Sequence, residues 1–266
     1  VKIGIVGTGN MGQAILKGLI DSNFDKNQIL AVTRTPESAQ KIATKFGIKT
    51  STNIEEIKDS TVIILGIKPQ SMDEVLPLIG KNINETALII SLAVGVTSAK
   101  ILQKIGNLKN PIVRAMPNTP SLVGKGVTGL AKSGSAQDKD LAVAKTIMES
   151  VGEVVIVEEK LIDVIAATSG SGPAYYFYVT ECLIDAAIKL GLDKQTAKII
   201  VENTFMGSSA LFESENESIE ELRKKVTSPK GTTQAAIEFL EENDLKNIWL
   251  QALTKAVKRA EEISKN

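Results

Sequence analysis

Three stretches of this chain combine residue types and spacings that could do chemistry. The first is Gly7-Thr8-Gly9-Asn10-Met11-Gly12. An apolar run, Ile3 to Val6, precedes it, and a helix-period stretch, Met11, Ala14, Ile15 and Leu19, follows it. In that setting the first glycine permits a tight turn. The second lets backbone approach a pyrophosphate, and the third lets helix pack on strand. The N–H groups and positive end of the helix then face the phosphates. A glycine-rich turn that only packs is the competing reading, and the strand–turn–helix context weighs against it. The second stretch is Thr227-Ser228-Pro229-Lys230-Gly231-Thr232-Thr233. Amides at the start of a helix predicted over 232–242, with the hydroxyls of Ser228, Thr232 and Thr233, make a small nest suited to a carboxylate. An ordinary N-cap by Thr232 or Ser228 is the alternative. The third stretch is Ser169-Gly170-Ser171-Gly172-Pro173-Ala174-Tyr175-Tyr176. It gives another helix start with free donors, although for this stretch taken alone a flexible hinge plus a helix cap is the better reading.

The absent residue types narrow the chemistry further. No histidine occurs in the 266 residues. This excludes histidine acid–base catalysis, Ser-His-Asp hydrolysis and histidine-ligated metals, and no metal site is expected. The single cysteine, Cys182, cannot form an internal disulfide, which fits a reducing, cytoplasmic setting. A formal net charge of zero gives no footprint for nucleic acid. No apolar run reaches membrane-span length, and the first residues read as a strand rather than a secretory signal.

The elements that must position these residues alternate strand and helix over the first 160 positions. A strand over 29–33 runs into Thr33-Arg34-Thr35. A dinucleotide fold usually places an acid there to bond the ribose of NAD; a guanidinium with two hydroxyls suits the 2′-phosphate of NADP instead. A solvated Arg34 is the alternative. A helix is expected over 37–46, with strands over 61–65, 87–91, 111–114, 126–131 and 153–157 and helices over 97–105 and 136–150. Ligands in open α/β sheets lie beyond the carboxyl ends of strands, so Gly66-Ile67-Lys68-Pro69 and Leu92-Ala93-Val94-Gly95 should border the cofactor. Met116-Pro117-Asn118-Thr119-Pro120 is a fixed, irregular turn that either positions polar groups or simply reverses the chain. From residue 161 the pattern is helical: 173–190, 194–212, 219–226, 232–242 and 244–263. Residues such as Ile199, Ile200, Val201 and Phe205 spread apolar character beyond one stripe, which demands cover from a second subunit. The fold class is therefore an α/β Rossmann-type doubly wound sheet over 1–160 plus an all-α C-terminal dimerisation domain over 161–266.

Taken together, these motifs resemble the pyrroline-5-carboxylate reductase family over the whole chain. Gly7-x-Gly9-x-x-Gly12, Ile67-Lys68-Pro69, Met116 to Pro120, Ser169 to Tyr175 and Thr227-Ser228-Pro229-x-Gly231-Thr232-Thr233, followed by Ala235-Ala236-Ile237, occur in family order and spacing. The resemblance implies NADPH-dependent reduction of 1-pyrroline-5-carboxylate to L-proline, with NADH open as a second cofactor, in a homo-oligomer built through the helical domain. It puts Gly7, Thr8, Gly9, Asn10, Met11 and Gly12 against the dinucleotide. It carries Thr33, Arg34 and Asn53 to the adenosine phosphate end, and Ile67, Lys68, Pro69 and Ala93 to the ribose and nicotinamide side. Ser228, Gly231, Thr232 and Thr233 would hold the substrate, with Thr233 on the ring nitrogen as the catalytic contact. The family usually has a second glycine where this chain has Lys230. A related imine or β-hydroxyacid reductase, and a non-catalytic dinucleotide-binding paralogue, are the rival functions. The first usually needs a lysine early in the first long helix of the second domain, and Tyr175 to Leu183 contains none.

Overall fold

The computed structural model describes residues 1–106 and 109–265, the last two by backbone alone. Its first part alternates as expected: β1 (Ile3–Val6), α1 (Asn10–Asp21), β2 (Ile29–Val32), α2 (Pro36–Phe46), β3 (Lys49–Ser51), β4 (Val62–Leu65), α3 (Met72–Asn82) and β5 (Leu88–Ser91). Then come α4 (Ser98–Lys104), β6 (Ile112–Met116), β7 (Gly126–Lys132), α5 (Asp138–Glu149) and β8 (Gly152–Ile156). The helical part holds α6 (Ile162–Ile165), α7 (Gly172–Lys189), α8 (Lys194–Ser214), α9 (Ile219–Lys225), α10 (Thr232–Glu242) and α11 (Leu245–Lys265).

The strands form one sheet in the order β3-β2-β1-β4-β5-β6-β7-β8. All neighbours are parallel except β6 and β7, which pair antiparallel. Parallel strands need both faces covered, which is why β1, β4 and β5 read as unbroken apolar runs. Alternate side chains serve opposite faces. Ile5, Ile64, Ile90 and Val113 meet α1, α2 and α5 in one cluster; Leu30, Ile63, Leu65 and Ile89 meet α3 and α4 in another. Each fully buried aliphatic side chain contributes about 1.5–3 kcal/mol before conformational entropy is set against it. The sequence pattern contains no cue for the reversed direction of β7 or for the short strand β3.

Backbone contacts divide the described chain into two compact units. One is Val1–Pro173 with the stretch from Ala256 onward, and the other is Ala174–Lys255. The strands do stop near residue 160, but α6 and the turn after it group with the sheet. Ile162 and Ala166 pack on Met116 and Ala131 in a small cluster of their own. The end of α11 groups there too: Ala260 is buried, and a β-carbon at Gly95 would touch Ile263. In the second unit Tyr175 and Trp249 stand 5.5 Å apart, joining α7 to α11. Asp193 caps α8, and the amide and hydroxyl groups of Thr196 that bond its carboxylate, with the Gln195 amide, lower its pKa. No helix among the described residues is long and apolar enough to cross a membrane.

At the amino edge of the sheet, Asn110 is fully buried, and its Nδ2 donates to the carbonyls of Asn84 and Ala87, each at 2.8 Å. Asn110→Ala leaves both acceptors dry and should cost about 1–3 kcal/mol, read as a lowered urea midpoint. Because the opposite edge carries the candidate site, cofactor affinity should be unchanged. An unaltered midpoint would show that other donors take over.

Candidate active site

Strands β1 to β5 run parallel and in register, so their carboxyl ends share one edge, and the segments leaving them collect there. Gly7 leaves β1 with φ +93°, a left-handed value that a side chain would resist. Its N–H donates to the Val32 carbonyl at 2.9 Å, which ties the turn to β2. A β-carbon at Gly12 would lie 2.5 Å from the Gly7 carbonyl oxygen, so only glycine lets α1 sit this close to β1. Gly9 differs, because a β-carbon there meets nothing within 4 Å. It is exposed and is the N-cap of α1, without a side-chain cap and without an acid in the first turn. The amides of Asn10 and Met11 therefore stand at an open, positive helix end. The Thr8 carbonyl accepts from Gln13 Nε2 at 3.0 Å, which braces the turn. These residues fit a pyrophosphate.

The next positions along the edge behave unequally. Thr33 is buried, and its hydroxyl donates to the Thr35 carbonyl at 3.1 Å, so it is already engaged. Thr35 caps α2 by accepting from Ser38 N–H. Arg34 between them is exposed and makes no ion pair among the described residues. Asn53 caps the 3-10 turn after β3, accepting from Glu55 N–H at 3.0 Å. The hydroxyl of Thr33 and the Oδ1 of Asn53 thus serve the backbone first, and Arg34 alone is uncommitted.

Beyond β4 and β5, Ile67 packs against the core, Lys68 is exposed, Pro69 opens a 3-10 turn and Ala93 is buried. Beside them lies a mostly apolar cleft of about 320 Å³, lined by Val94, Met116, Ala167, Gly170 and Ser171, with Ala260 closing one side. Residues 166–170 form a single turn of π-helix, a form frequent at functional sites. A β-carbon at Gly170 would lie 2.4 Å from Met116 Cε. Asn118 Nδ2 donates to Ser169 Oγ at 3.2 Å, and its Oδ1 accepts from Val127 N–H at 3.0 Å. The turn 116–120 and the stretch 169–173 are thus joined, a pairing no spacing rule announces. Sequence reasoning also passed over Arg114, which is 3% exposed in β6. The available signal was a charge inside the apolar strand Ile112-Val113-Arg114-Ala115-Met116.

The other compact unit carries the Ser228–Thr233 loop between α9 and α10. Ser218 and Glu221 form a capping box at the start of α9, and the hydrogen bonds from Ser218 hold the Glu221 carboxyl below its ordinary range. Gly231 is the N-cap of α10, which has no side-chain cap. The hydroxyls of Ser228, Thr232 and Thr233 make no hydrogen bond among the described residues, so the capping alternative is not realised. Lys230 holds φ +58°, a left-handed value uncommon outside glycine, and its N–H donates to Gln234 Oε1 at 2.7 Å. Free amides and three uncommitted hydroxyls around one helix start suit a small carboxylate.

Comparison with known proteins agrees with both halves. A family model described as pyrroline-5-carboxylate reductase dimerisation matches residues 159–263. A second, described as NADP oxidoreductase coenzyme F420-dependent, matches residues 2–95. A pyrroline-5-carboxylate reductase of Corynebacterium melassecola is 35% identical, over 99% of each chain. The solved pyrroline-5-carboxylate reductase of Coxiella burnetii is similar with TM-score 0.92 and 40% identity, covering 100% of this chain and 99% of its own. The pyrroline carboxylate reductase of Plasmodium falciparum, solved with NADP bound, is similar with TM-score 0.83 and 28% identity, covering 99% of this chain and 98% of its own.

The uncapped start of α10 sets a stability test. Thr232→Ala and Thr233→Ala should each leave unfolding free energy within about 0.5 kcal/mol of the parent. A loss near 1 kcal/mol in thermal melts would mean that the hydroxyl caps the helix after all.

Proposed function

The chain belongs to the pyrroline-5-carboxylate reductase family, and from that premise we propose how its residues carry NAD(P)H-dependent reduction of 1-pyrroline-5-carboxylate to L-proline. One observation carries the proposal. The chain keeps two open helix starts, at Gly9 and at Gly231, one suited to a pyrophosphate and the other lined by hydroxyls that the fold leaves unused. Bound reduced nicotinamide supplies a hydride equivalent to the C=N carbon. Everything else falls to the protein: binding, alignment and electrostatics.

The amides at the start of α1 hold the pyrophosphate, and Gly9 admits it. Gly7 and Gly12 fix the turn, with Thr8, Asn10 and Met11 as its surface. Arg34 pairs with a 2′-phosphate, which makes NADPH the preferred cofactor. Asn53 and Thr33 shape the adenosine end chiefly through the backbone they brace. Ile67, Lys68, Pro69 and Ala93 line the ribose and nicotinamide side. Ser228, Gly231 and Thr232 hold the substrate carboxylate, and Thr233 hydrogen-bonds the ring nitrogen. A substrate that arrives as the iminium already carries the proton that remains on the product amine, so no histidine is required. We keep residue 160 as the boundary between the cofactor-binding part and the part that binds substrate and partner. The unpaired Cys182 suits a reducing, cytoplasmic compartment.

The family match over 159–263 carries dimerisation. We assign the contact to α7 and α8, where Tyr176, Phe177, Leu183, Ile199, Met206 and Phe212 are exposed. An apolar surface of that kind on two neighbouring helices marks an interface. Light scattering should find a dimer or a multiple of it at every active concentration, and a stable, active monomer would refute the assignment.

Two sets of variants test the site. Thr233→Ala should lower kcat/KM for pyrroline-5-carboxylate by roughly tenfold or more, since a hydrogen bond that strengthens in the transition state exceeds the usual 0.5–1.5 kcal/mol. NADPH affinity should stay within about twofold, and Ser228→Ala should act mainly on KM. Unchanged turnover would send the search for the nitrogen's partner to water. Arg34→Ala should weaken NADPH more than NADH, because only the former has the extra phosphate. Equal losses would remove Arg34 from that role.

A further inference from the structure

Arg114 is a buried cation in a strand that otherwise carries only apolar side chains. Its guanidinium faces two carboxylates from the segment that leaves the sheet: Glu159 Oε1 at 3.7 Å and Asp163 Oδ1 at 3.6 Å. Neither contact is a hydrogen bond, and Arg114 Nε and Nη2 and Asp163 Oδ1 are buried without one. Glu159 is held from another side as well. Its carboxylate accepts from Ser98 N–H at 3.0 Å and from the Ser98 hydroxyl at 2.8 Å, at the start of α4. Arg114 also pairs in register with Ser91, the last residue of β5. The ion cluster therefore links three pieces: the end of β6, the β5–α4 loop that contains Ala93 and Val94, and the segment 159–171. Two more contacts repeat the link further along, Met116 against Gly170 and Asn118 to Ser169. Val94, Met116, Gly170 and Ser171, which these links hold apart, form one part of the cleft wall, and Arg259 and Ala260 of α11 lie on the other.

An ion cluster around a buried arginine, with its two carboxylates half-buried, is weak as a source of stability, because desolvation consumes most of the Coulomb gain and an apolar replacement often does as well. Its distinctive property is a fixed geometry. We propose that Arg114 is a positioning residue for hydride transfer: through Glu159 and Ser98 it sets the separation of the β5–α4 loop from the π-helical turn, and so the width of the cleft that seats a flat nicotinamide ring. This rests on the reading of the chain as an NADPH-dependent reductase. Arg114 itself is buried within the protein, so it works through its neighbours. It acts on alignment, and displacement of reacting atoms by about 1 Å can cost a hundredfold in rate.

The test uses the full-length protein with Arg114→Met, Arg114→Lys and, as a milder cut in the same link, Ser98→Ala. Two readouts are taken beside melting temperature. One is the emission of bound NADPH, which reports how the nicotinamide is seated without any turnover. The other is kcat for pyrroline-5-carboxylate with its deuterium isotope effect from NADPH labelled at the transferred hydrogen. Arg114→Met should bind NADPH within about threefold of the parent, lose much of the emission enhancement, and lower kcat by about tenfold or more with a larger isotope effect. Arg114→Lys should recover part of both, and Ser98→Ala should shift both in the same direction by less. A lowered melting temperature with emission, kcat and isotope effect all intact would make Arg114 purely structural and overturn the proposal. If Arg114→Met does not fold, Arg114→Lys and Ser98→Ala decide, and parental emission and isotope effect in both would overturn it. If the parent binds NADPH but does not reduce pyrroline-5-carboxylate, the functional reading fails on its own, and the emission of the variants still judges Arg114.

Discussion

The Gly7 carbonyl oxygen occupies space that a β-carbon at either Gly12 or Gly66 would need; both would come within 2.5 Å of it. Three glycines from β1, α1 and the end of β4 thus interlock around one oxygen. This close approach determines how near the start of α1 lies to the carboxyl edge of the sheet. The open N–H groups of α1 owe their placement to it, and so does the spacing between the first and fourth strand ends. A methyl group at Gly12 would push the helix off the strand, and one at Gly66 would push the turn away from the end of β4. The rest of the carboxyl edge, from Arg34 to Ala93, is built outward from this point.

What the sequence made legible follows from how local each signal is. The glycine triplet, the apolar runs of β1, β4 and β5, and the long helices α7, α8 and α11 are set by neighbours within a few residues, and their positions were readable to within one or two. The hydroxyl loop 228–233 was readable for the same reason. Arg114 was not, because its partners stand 45 and 49 residues later, at Glu159 and Asp163, and only the folded sheet brings them together. The link from Asn118 to Ser169 is hidden likewise. The direction of β7 depends on how a chain crosses the sheet edge, which side-chain alternation does not encode. Thr33 and Asn53 show a subtler limit. Their types suit ligand contact, yet the backbone beside them claims the same atoms first.

The two units treat polar groups differently. In the sheet unit most polar side chains near the edge are engaged: Thr33 and Asn53 bond backbone, Asn118 bonds at both ends, and Ser98 holds Glu159. Such bracing gives that edge a rigid, hydrogen-bonded frame. In the helical unit the hydroxyls of Ser228, Thr232 and Thr233 serve no fold contact. Groups with no protein partner must be hydrated or bound to something else, and they exchange water for a ligand without first breaking a native bond.

That difference bears on how the protein can change over generations. Substitutions at Ser228, Thr232 or Thr233 remove nothing the fold depends on, so they fall within the stability margin that usually limits which sequences survive. The glycine interlock offers no such freedom, since almost any replacement there is filtered out before its effect on binding can matter. The fold therefore fixes the turn between β1 and α1 firmly and leaves the hydroxyl loop open to drift. Lys230, held in a left-handed conformation in the middle of that loop, is the kind of departure such latitude permits.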